Sequence, residues 1–161
     1  MPISTEQFNT TMSSQDLLSN TMETLVRISK HMMKESNVPI IDVYVTKKVG
    51  CYHRRSGNHH HIVLGAPTFN PKNKFRFRTY IISGGDLMQV KASSIPWPIH
   101  VMSVTIEETA HYLQSLTPGG RTTGSVHNQT FFEKFKYLWD KHSDEILPLI
   151  EQALKVDNIN Y

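Results

Sequence analysis

The sequence predicts an α+β fold in which a small sheet is framed by helices. Apolar residues recur at helical spacing near the N-terminus and again after residue 100, whereas stretches rich in β-branched and aromatic residues occupy the middle of the chain. Because helices and strands are segregated along the sequence rather than alternating, the pattern is typical of α+β proteins.

The first half of the chain is predicted to contain one helix and a group of strands. Residues 1–13 are polar and are expected to be loosely ordered. The apolar spacing predicts a helix over 15–36, with Ser13 or Ser14 as its N-cap. The region 47–58 is expected to be a basic turn. The predicted strands, which share β-branched or aromatic residues, lie at 40–46, 59–65, 75–82 and 87–92.

The second half of the chain is predicted to be helical. Residues 101–116 have an apolar face at helical spacing and are followed by a turn rich in glycine and proline. Two further helices are expected over 128–142 and 143–155. The last of these has Ser143 as its N-cap and a kink at Pro148.

Length and composition restrict the class of protein. The chain has 161 residues, which suits a single domain spanning 1–161. Hydrophobic residues make up 39% and charged residues 19%, so the chain is expected to fold. Cys51 is the single cysteine, so a metal site would use carboxylates and the nine histidines. With no signal peptide and no long apolar run, we expect a cytoplasmic protein without a membrane partner.

A metal-site pattern lies in the helix predicted over 101–116. Glu107 and His111 are four residues apart, so they share one helix face. This is the spacing at which the H-E-x-x-H motif presents two metal ligands. Glu108 lies roughly 100° around the helix from Glu107, where it can lean toward a metal-bound water without binding the metal. His127, beyond the Gly-rich turn, is the candidate third ligand.

The segments EETAHYLQ and HNQTFFEKFKYLW resemble the core of the SprT-like zincin metallopeptidases, in which H-E-x-x-H is followed by a loop, a histidine and a short aromatic helix. The strands IDVYVT, HIVLG and FRFRTYII suit the small sheet that precedes the active helix in zincins. The resemblance covers about residues 16–142. It implies a zincin-like domain with an N-terminal helix, a small sheet of three to four strands, an active-site helix and C-terminal helices.

The same resemblance implies roles for single residues. His111 and His127 would be metal ligands and Glu108 the general base of a peptidase that acts on a protein or peptide. Glu107 stands where the family has histidine. A carboxylate can bind zinc in this position, and it also suits iron or manganese. Alternatively, the chain is an inactive zincin-like module that binds nucleic acid or a partner protein through its basic surface.

That basic surface is predicted from clustered cationic residues interleaved with aromatic ones, a composition typical of single-stranded nucleic-acid binding. The cationic residues of the first cluster that we expect to contact nucleic acid are Lys47, Lys48, Arg54 and Arg55. The competing interpretation is a solvated hairpin edge, where basic residues prevent aggregation.

The histidine run at 59–61 and His100 are not assigned to the metal site. His59, His60 and His61 are adjacent on a predicted strand, where successive side chains point to opposite faces, so all three cannot bind one ion. We expect a polar strand end there. His100 could replace the missing first ligand if the chain turns back, but it is expected to be a surface residue.

Overall fold

The computed structural model describes residues 12–121 and 126–161. The α+β class is confirmed. The helices are α1 (Ser14–Leu17), α2 (Ser19–Glu35), α3 (Trp97–Leu116) and α4 (Gln129–Val156). The strands are β1 (Asp42–Thr46), β2 (Cys51–Ser56), β3 (His59–Gly65), β4 (Arg78–Ser83) and β5 (Asp86–Lys91). Short 3-10 helices lie at Ala66–Phe69, Pro71–Arg76 and Ala92–Ser94.

The predicted N-terminal helix is interrupted at Leu18, which divides it into α1 and α2. Ser13 is the N-cap of α1, because its hydroxyl accepts a hydrogen bond from the backbone amide of Asp16. No side chain of its own caps α2. Instead, Asp157 accepts hydrogen bonds from the backbone amides of Asn20, at 3.2 Å, and Thr21, at 2.7 Å. The chain following α4 therefore satisfies the first amide groups of α2.

The larger sheet has three strands in the order β1-β3-β2, with β1 parallel and β2 antiparallel to β3. The prediction of a turn over 47–58 is wrong, because β2 lies within it and forms a hairpin with β3. Within β2, His53 is buried while Tyr52 and Arg54 are exposed. The side chains of β2 alternate between the two faces of the sheet, but they include basic and imidazole groups rather than aliphatic ones. The usual hydrophobic signal of a strand is therefore missing from the sequence.

The predicted strand over 75–82 begins later than expected. Phe75 belongs to a 3-10 helix, and its side chain is 82% exposed. The Asn70 side chain accepts a hydrogen bond from the Lys72 amide and begins this helix together with Pro71. β4 and β5 then form a separate two-stranded hairpin.

Both long helices extend beyond their predicted limits. α3 begins at Trp97 because prolines are tolerated in the first helical turn, where the missing amide has no partner to lose. α4 is one continuous helix, so the prediction of separate helices and of Ser143 as an N-cap is wrong. Pro148 lies within it. The buried face of α4 continues at helical spacing through the predicted boundary between the two helices. Its residues are Phe135, Leu138, His142, Ile146, Ile150 and Leu154.

The helix α3 lies at the centre of the molecule, in contact with α2, α4 and strands β2, β3 and β4. Most of its side chains are buried, and several of these are polar, among them His100, Glu108, His111 and Gln114. Buried polar groups need specific partners and often belong to functional sites, so the polar residues of α3 indicate a candidate site on this helix. None of the helices in the described residues is long and apolar enough to cross a membrane.

Candidate metal centre

Three potential metal ligands converge where α3 faces the start of α4. Glu107 and His111 are one helical turn apart on α3, and His127 lies two residues before α4 begins. One ligand atom from each residue lies within 4.8 Å of the other two. His111 is buried, Glu107 half-buried and His127 exposed, so the group opens toward solvent on one side.

Aromatic packing holds the two histidines of this group. The His111 ring stacks on Phe131, with centroids 4.5 Å apart, and lies 5.0 Å from the His127 ring. His127 also contacts Phe131, at 5.0 Å, and the Tyr80 ring on β4, at 5.2 Å. Phe131 itself is fully buried. Phe131, in the first turn of α4, therefore helps to orient the two histidine rings.

Gln114 determines which nitrogen of His111 is available to a metal. The His111 Nδ1 atom lies 3.0 Å from Gln114 Oε1, and a carbonyl oxygen can only accept a hydrogen bond. Gln114 Nε2 faces further acceptors, the backbone oxygens of Gly120 and Val126, which fixes the orientation of the amide. Nδ1 of His111 therefore carries the proton, and its Nε2 lone pair is free to bind a cation.

The same amide ties the segment that carries His127 to α3. Gln114 Nε2 lies 2.7 Å from the Val126 oxygen and 3.0 Å from Asn128 Oδ1. Asn128 in turn caps α4 by accepting from the Phe131 amide. Neither amide residue was predicted from the sequence. Their positions, three residues after one predicted ligand and directly after the other, were the available signal.

Glu108 lies beside the ligand group in a buried position. It is 3% exposed, and among the described residues its Oε2 atom has no hydrogen-bond partner. Burial raises the pKa of Glu107 to about 7. Burial, the Glu107 charge and a hydrogen bond to Glu107 raise the pKa of Glu108. In the metal-free protein, the two carboxyl groups therefore retain a proton near neutral pH.

Arg121 and two β2 residues complete the surroundings of Glu108. The Arg121 charge opposes the rise in the Glu108 pKa, and its Nη2 atom lies 3.2 Å from His53 Nδ1. Burial, followed by the Arg121 charge, lowers the pKa of His53 to about 3, so this ring is neutral. Burial and the Glu108 charge raise the pKa of Cys51 to about 12. The thiol is therefore protonated and is not a nucleophile.

The four basic residues predicted to contact nucleic acid do not join this group. Lys47 and Lys48 are exposed in the β1–β2 connection, and Arg54 and Arg55 are exposed on β2. The Arg54 guanidinium lies over the Tyr52 ring, 4.9 Å from its centroid. Arg54 and Arg55 are adjacent on β2, so their side chains point to opposite faces of the sheet, and Arg54 shares its face with Tyr52.

Two other expectations about histidines have different outcomes. His60 packs against Tyr112 of α3, whereas His61 packs against Tyr44 and Tyr52, so the adjacent rings diverge as expected. The prediction that His100 is a surface residue is wrong. It is fully buried, and its Nε2 atom lies 3.1 Å from the Thr68 oxygen, where the early start of α3 brings it inside the core.

Comparisons with models of known protein families, with curated proteins and with solved structures found no match to this chain. The interpretation of the site therefore rests on its own geometry and chemistry. Two imidazoles and one carboxylate form a donor set that suits zinc and other divalent transition metals.

Proposed function

We propose that this chain is a zincin-like, metal-dependent peptidase that resembles the SprT-like family. The observation that carries the proposal is the convergence of Glu107, His111 and His127 within 4.8 Å, next to the buried carboxyl group of Glu108. Zinc held there would act as a Lewis acid and lower the pKa of its water. A set of two histidines and one carboxylate leaves a coordination position open, as catalytic zinc sites require.

The ligand roles are supported by how each residue is held. Gln114 keeps the His111 Nε2 lone pair available, and Phe131 fixes the planes of both imidazole rings. Glu107 is half-buried on the same face of α3 as His111. A cation beside Glu107 would favour its ionised form and displace the proton that burial retains there.

Glu108 is proposed as the general base. Its carboxyl group is one residue out of phase with Glu107 on α3, so it would lie beside a metal held by Glu107, His111 and His127 without serving as a ligand. Burial and the Glu107 charge raise the pKa of Glu108, which makes its carboxylate a stronger base than an exposed one. It would take a proton from the attacking water and deliver it to the leaving amine of the peptide.

The free edge of β2 is the best candidate for binding an extended peptide. The Gly65 amide donates to the Gly50 oxygen, so alternation along the ladder points the backbone groups of Cys51, His53 and Arg55 away from β3. No strand among the described residues pairs with that edge. His53 and Cys51 lie near Arg121 and Glu108, respectively. A substrate strand added here would lie beside the proposed base.

The edge of β4 is less suitable for this purpose. The Ala92 amide donates to the Phe77 oxygen, so the backbone groups of Tyr80 point away from β5. The Tyr80 oxygen already accepts a hydrogen bond from the Ser103 hydroxyl of α3. A peptide strand would have to replace this contact.

The decisive experiment compares the wild-type protein with Glu108→Gln after loading with zinc. We expect the variant to lose cleavage of an unfolded protein substrate while it binds zinc as the wild type does. Glu133→Gln, which changes an exposed glutamate on α4, is the matched control and should remain active. Hydrolysis retained by Glu108→Gln would overturn the role of Glu108.

A second candidate is a catalytically inactive zincin-like module that binds single-stranded nucleic acid. It is supported by the exposed basic side chains around β2 and by Arg54 over Tyr52. Its test is oligonucleotide binding across a series of salt concentrations. Removing Lys47, Lys48, Arg54 and Arg55 together should weaken binding and flatten its salt dependence. Equal binding by the quadruple variant would exclude this surface.

A further inference from the structure

A second group of potential metal ligands lies between α2 and α4. His31 belongs to α2, whereas His142 and Glu145 are three residues apart on α4. One ligand atom from each residue lies within 4.8 Å of the other two. His142 is eleven residues beyond Phe131, which corresponds to roughly 16 Å along the helix. This group is therefore separate from the one around His111.

The buried ring of His142 lacks the partners that such a group normally has. It is 1% exposed, and within residues 12–121 and 126–161 neither of its ring nitrogens has a hydrogen-bond partner. A neutral imidazole carries one donor and one acceptor, and burying them unpaired is costly. The His31 ring meets the His142 ring edge-on, with centroids 5.6 Å apart. A bound cation would use the free lone pair of His142.

The distances within the group suit a single ion. His31 Nε2 lies 3.3 Å from Glu145 Oε1. Two ligands on a tetrahedral zinc ion with bonds of about 2.1 Å are about 3.4 Å apart, so this pair already has the required separation. The His142 nitrogen lies at most 4.8 Å from each of the other two ligand atoms, so binding would require it to approach them by at most roughly 1.4 Å.

A groove gives an ion access to this group. It has a volume of about 460 Å³, runs between α2 and α4, and is lined by His31 and Glu145 together with Glu23, Arg27 and Leu149. His31 and Glu145 are 38% and 58% exposed, so a metal can enter without unfolding the helices. The groove also leaves room for a water molecule in the fourth coordination position.

We propose that His31, His142 and Glu145 form a second metal site, which takes a divalent transition metal such as zinc and joins α2 to α4. Its ligands come from helices that are more than 100 residues apart in sequence. A bound ion would therefore oppose separation of the N-terminal helix from the rest of the fold. This role is structural and does not depend on peptidase activity.

Zinc titration of the full chain without a histidine tag tests the proposal. We expect two zinc ions per wild-type chain and one in Glu145→Gln, because an amide replaces the exposed carboxylate. His127→Ala, which alters an exposed ligand of the other site, should keep the ion at the second site. Glu151→Gln, another exposed glutamate on α4, is the matched control and should bind two.

Thermal unfolding of the His127→Ala protein adds a second measurement. Zinc at a hundredfold excess over its dissociation constant should raise the midpoint by roughly 5–10 °C. Adding Glu145→Gln or His31→Gln should remove this rise. The second site is refuted if Glu145→Gln binds as many zinc ions as the wild type and if zinc raises the midpoint of the Glu145→Gln, His127→Ala double variant as much as that of His127→Ala. One ion in the wild type that is lost in His127→Ala would also refute it while supporting the first site.

Discussion

Replacing Gln114 with methionine tests the structural basis of the candidate metal centre. Methionine has a similar volume but lacks the amide. The substitution removes the acceptor that holds the His111 Nδ1 proton and the donor that faces the oxygens of Gly120, Val126 and Asn128. Gln114 is fully buried, so water cannot easily replace these partners.

The magnitude follows from the number of groups left unpaired. A buried polar group without a partner costs about 1–3 kcal/mol. The Gly120 oxygen still accepts from Asn128 Nδ2, and Asn128 Oδ1 still accepts from the Phe131 amide. The groups chiefly affected are therefore His111 Nδ1 and the Val126 oxygen. We expect Gln114→Met to lower the free energy of unfolding by about 3–5 kcal/mol. Loss of the partner that orients His111 should also weaken zinc binding roughly 10- to 100-fold.

Urea denaturation gives the first quantity, and competition with a chromophoric chelator gives the second. Gln114→Glu is the informative companion, because it keeps an oxygen for His111 Nδ1 but loses the donor to Gly120 and Val126. It should retain more of the zinc affinity than Gln114→Met in protein that is still folded. Wild-type zinc affinity in folded Gln114→Met would refute the assigned role.

Three further predictions concern stability. Burial raises the pKa of Glu107 from 4.5 to about 7, so the metal-free fold loses stability as pH rises through this window. The free energy of unfolding of Glu107→Gln should therefore exceed that of the wild type by about 2–3 kcal/mol at pH 8 and by little at pH 4. Urea denaturation in the presence of a chelator measures both values. A Cβ atom at Gly65 would overlap the backbone oxygens of Lys48 and Gly50. Gly65→Ala should therefore lower the free energy of unfolding by at least about 2 kcal/mol, measured by urea denaturation. An unchanged midpoint would contradict this contact. Pro148 is exposed within α4, so Pro148→Ala should restore one helical hydrogen bond. The free energy of unfolding should rise by about 1–3 kcal/mol, which a higher thermal midpoint would report. A lower midpoint would mean that the helix needs the proline.

The local geometry of the candidate site could be predicted from sequence. Helical spacing alone brings Glu107 and His111 onto one face, and the aromatic residues that follow His127 indicated a packed helix. The contact between those segments depends on Gln114, whose amide reaches Val126 and Asn128. A single buried amide has no periodic signature, so sequence patterns could not identify it as the residue that joins them.

Other features were hidden because tertiary packing overrides local signals. β2 is a strand despite its basic sequence, because β3 pairs with it along its whole length. α4 continues through Pro148, because its buried face extends on both sides of that residue and the helix packs against α2 and α3. His31 and His142 are 111 residues apart in sequence, and only the packing of α2 against α4 brings them together.

The cap that Asp157 provides for α2 has a consequence for the order of folding. Its hydrogen bonds to Asn20 and Thr21 close a loop of more than 130 residues, and loop closure of this length is entropically expensive. Local helices and hairpins are expected to form first, so this contact belongs to the last steps on the pathway. Asp157→Ala should therefore accelerate unfolding while leaving the folding rate nearly unchanged. On the ribosome, α2 would remain uncapped until residue 157 has emerged.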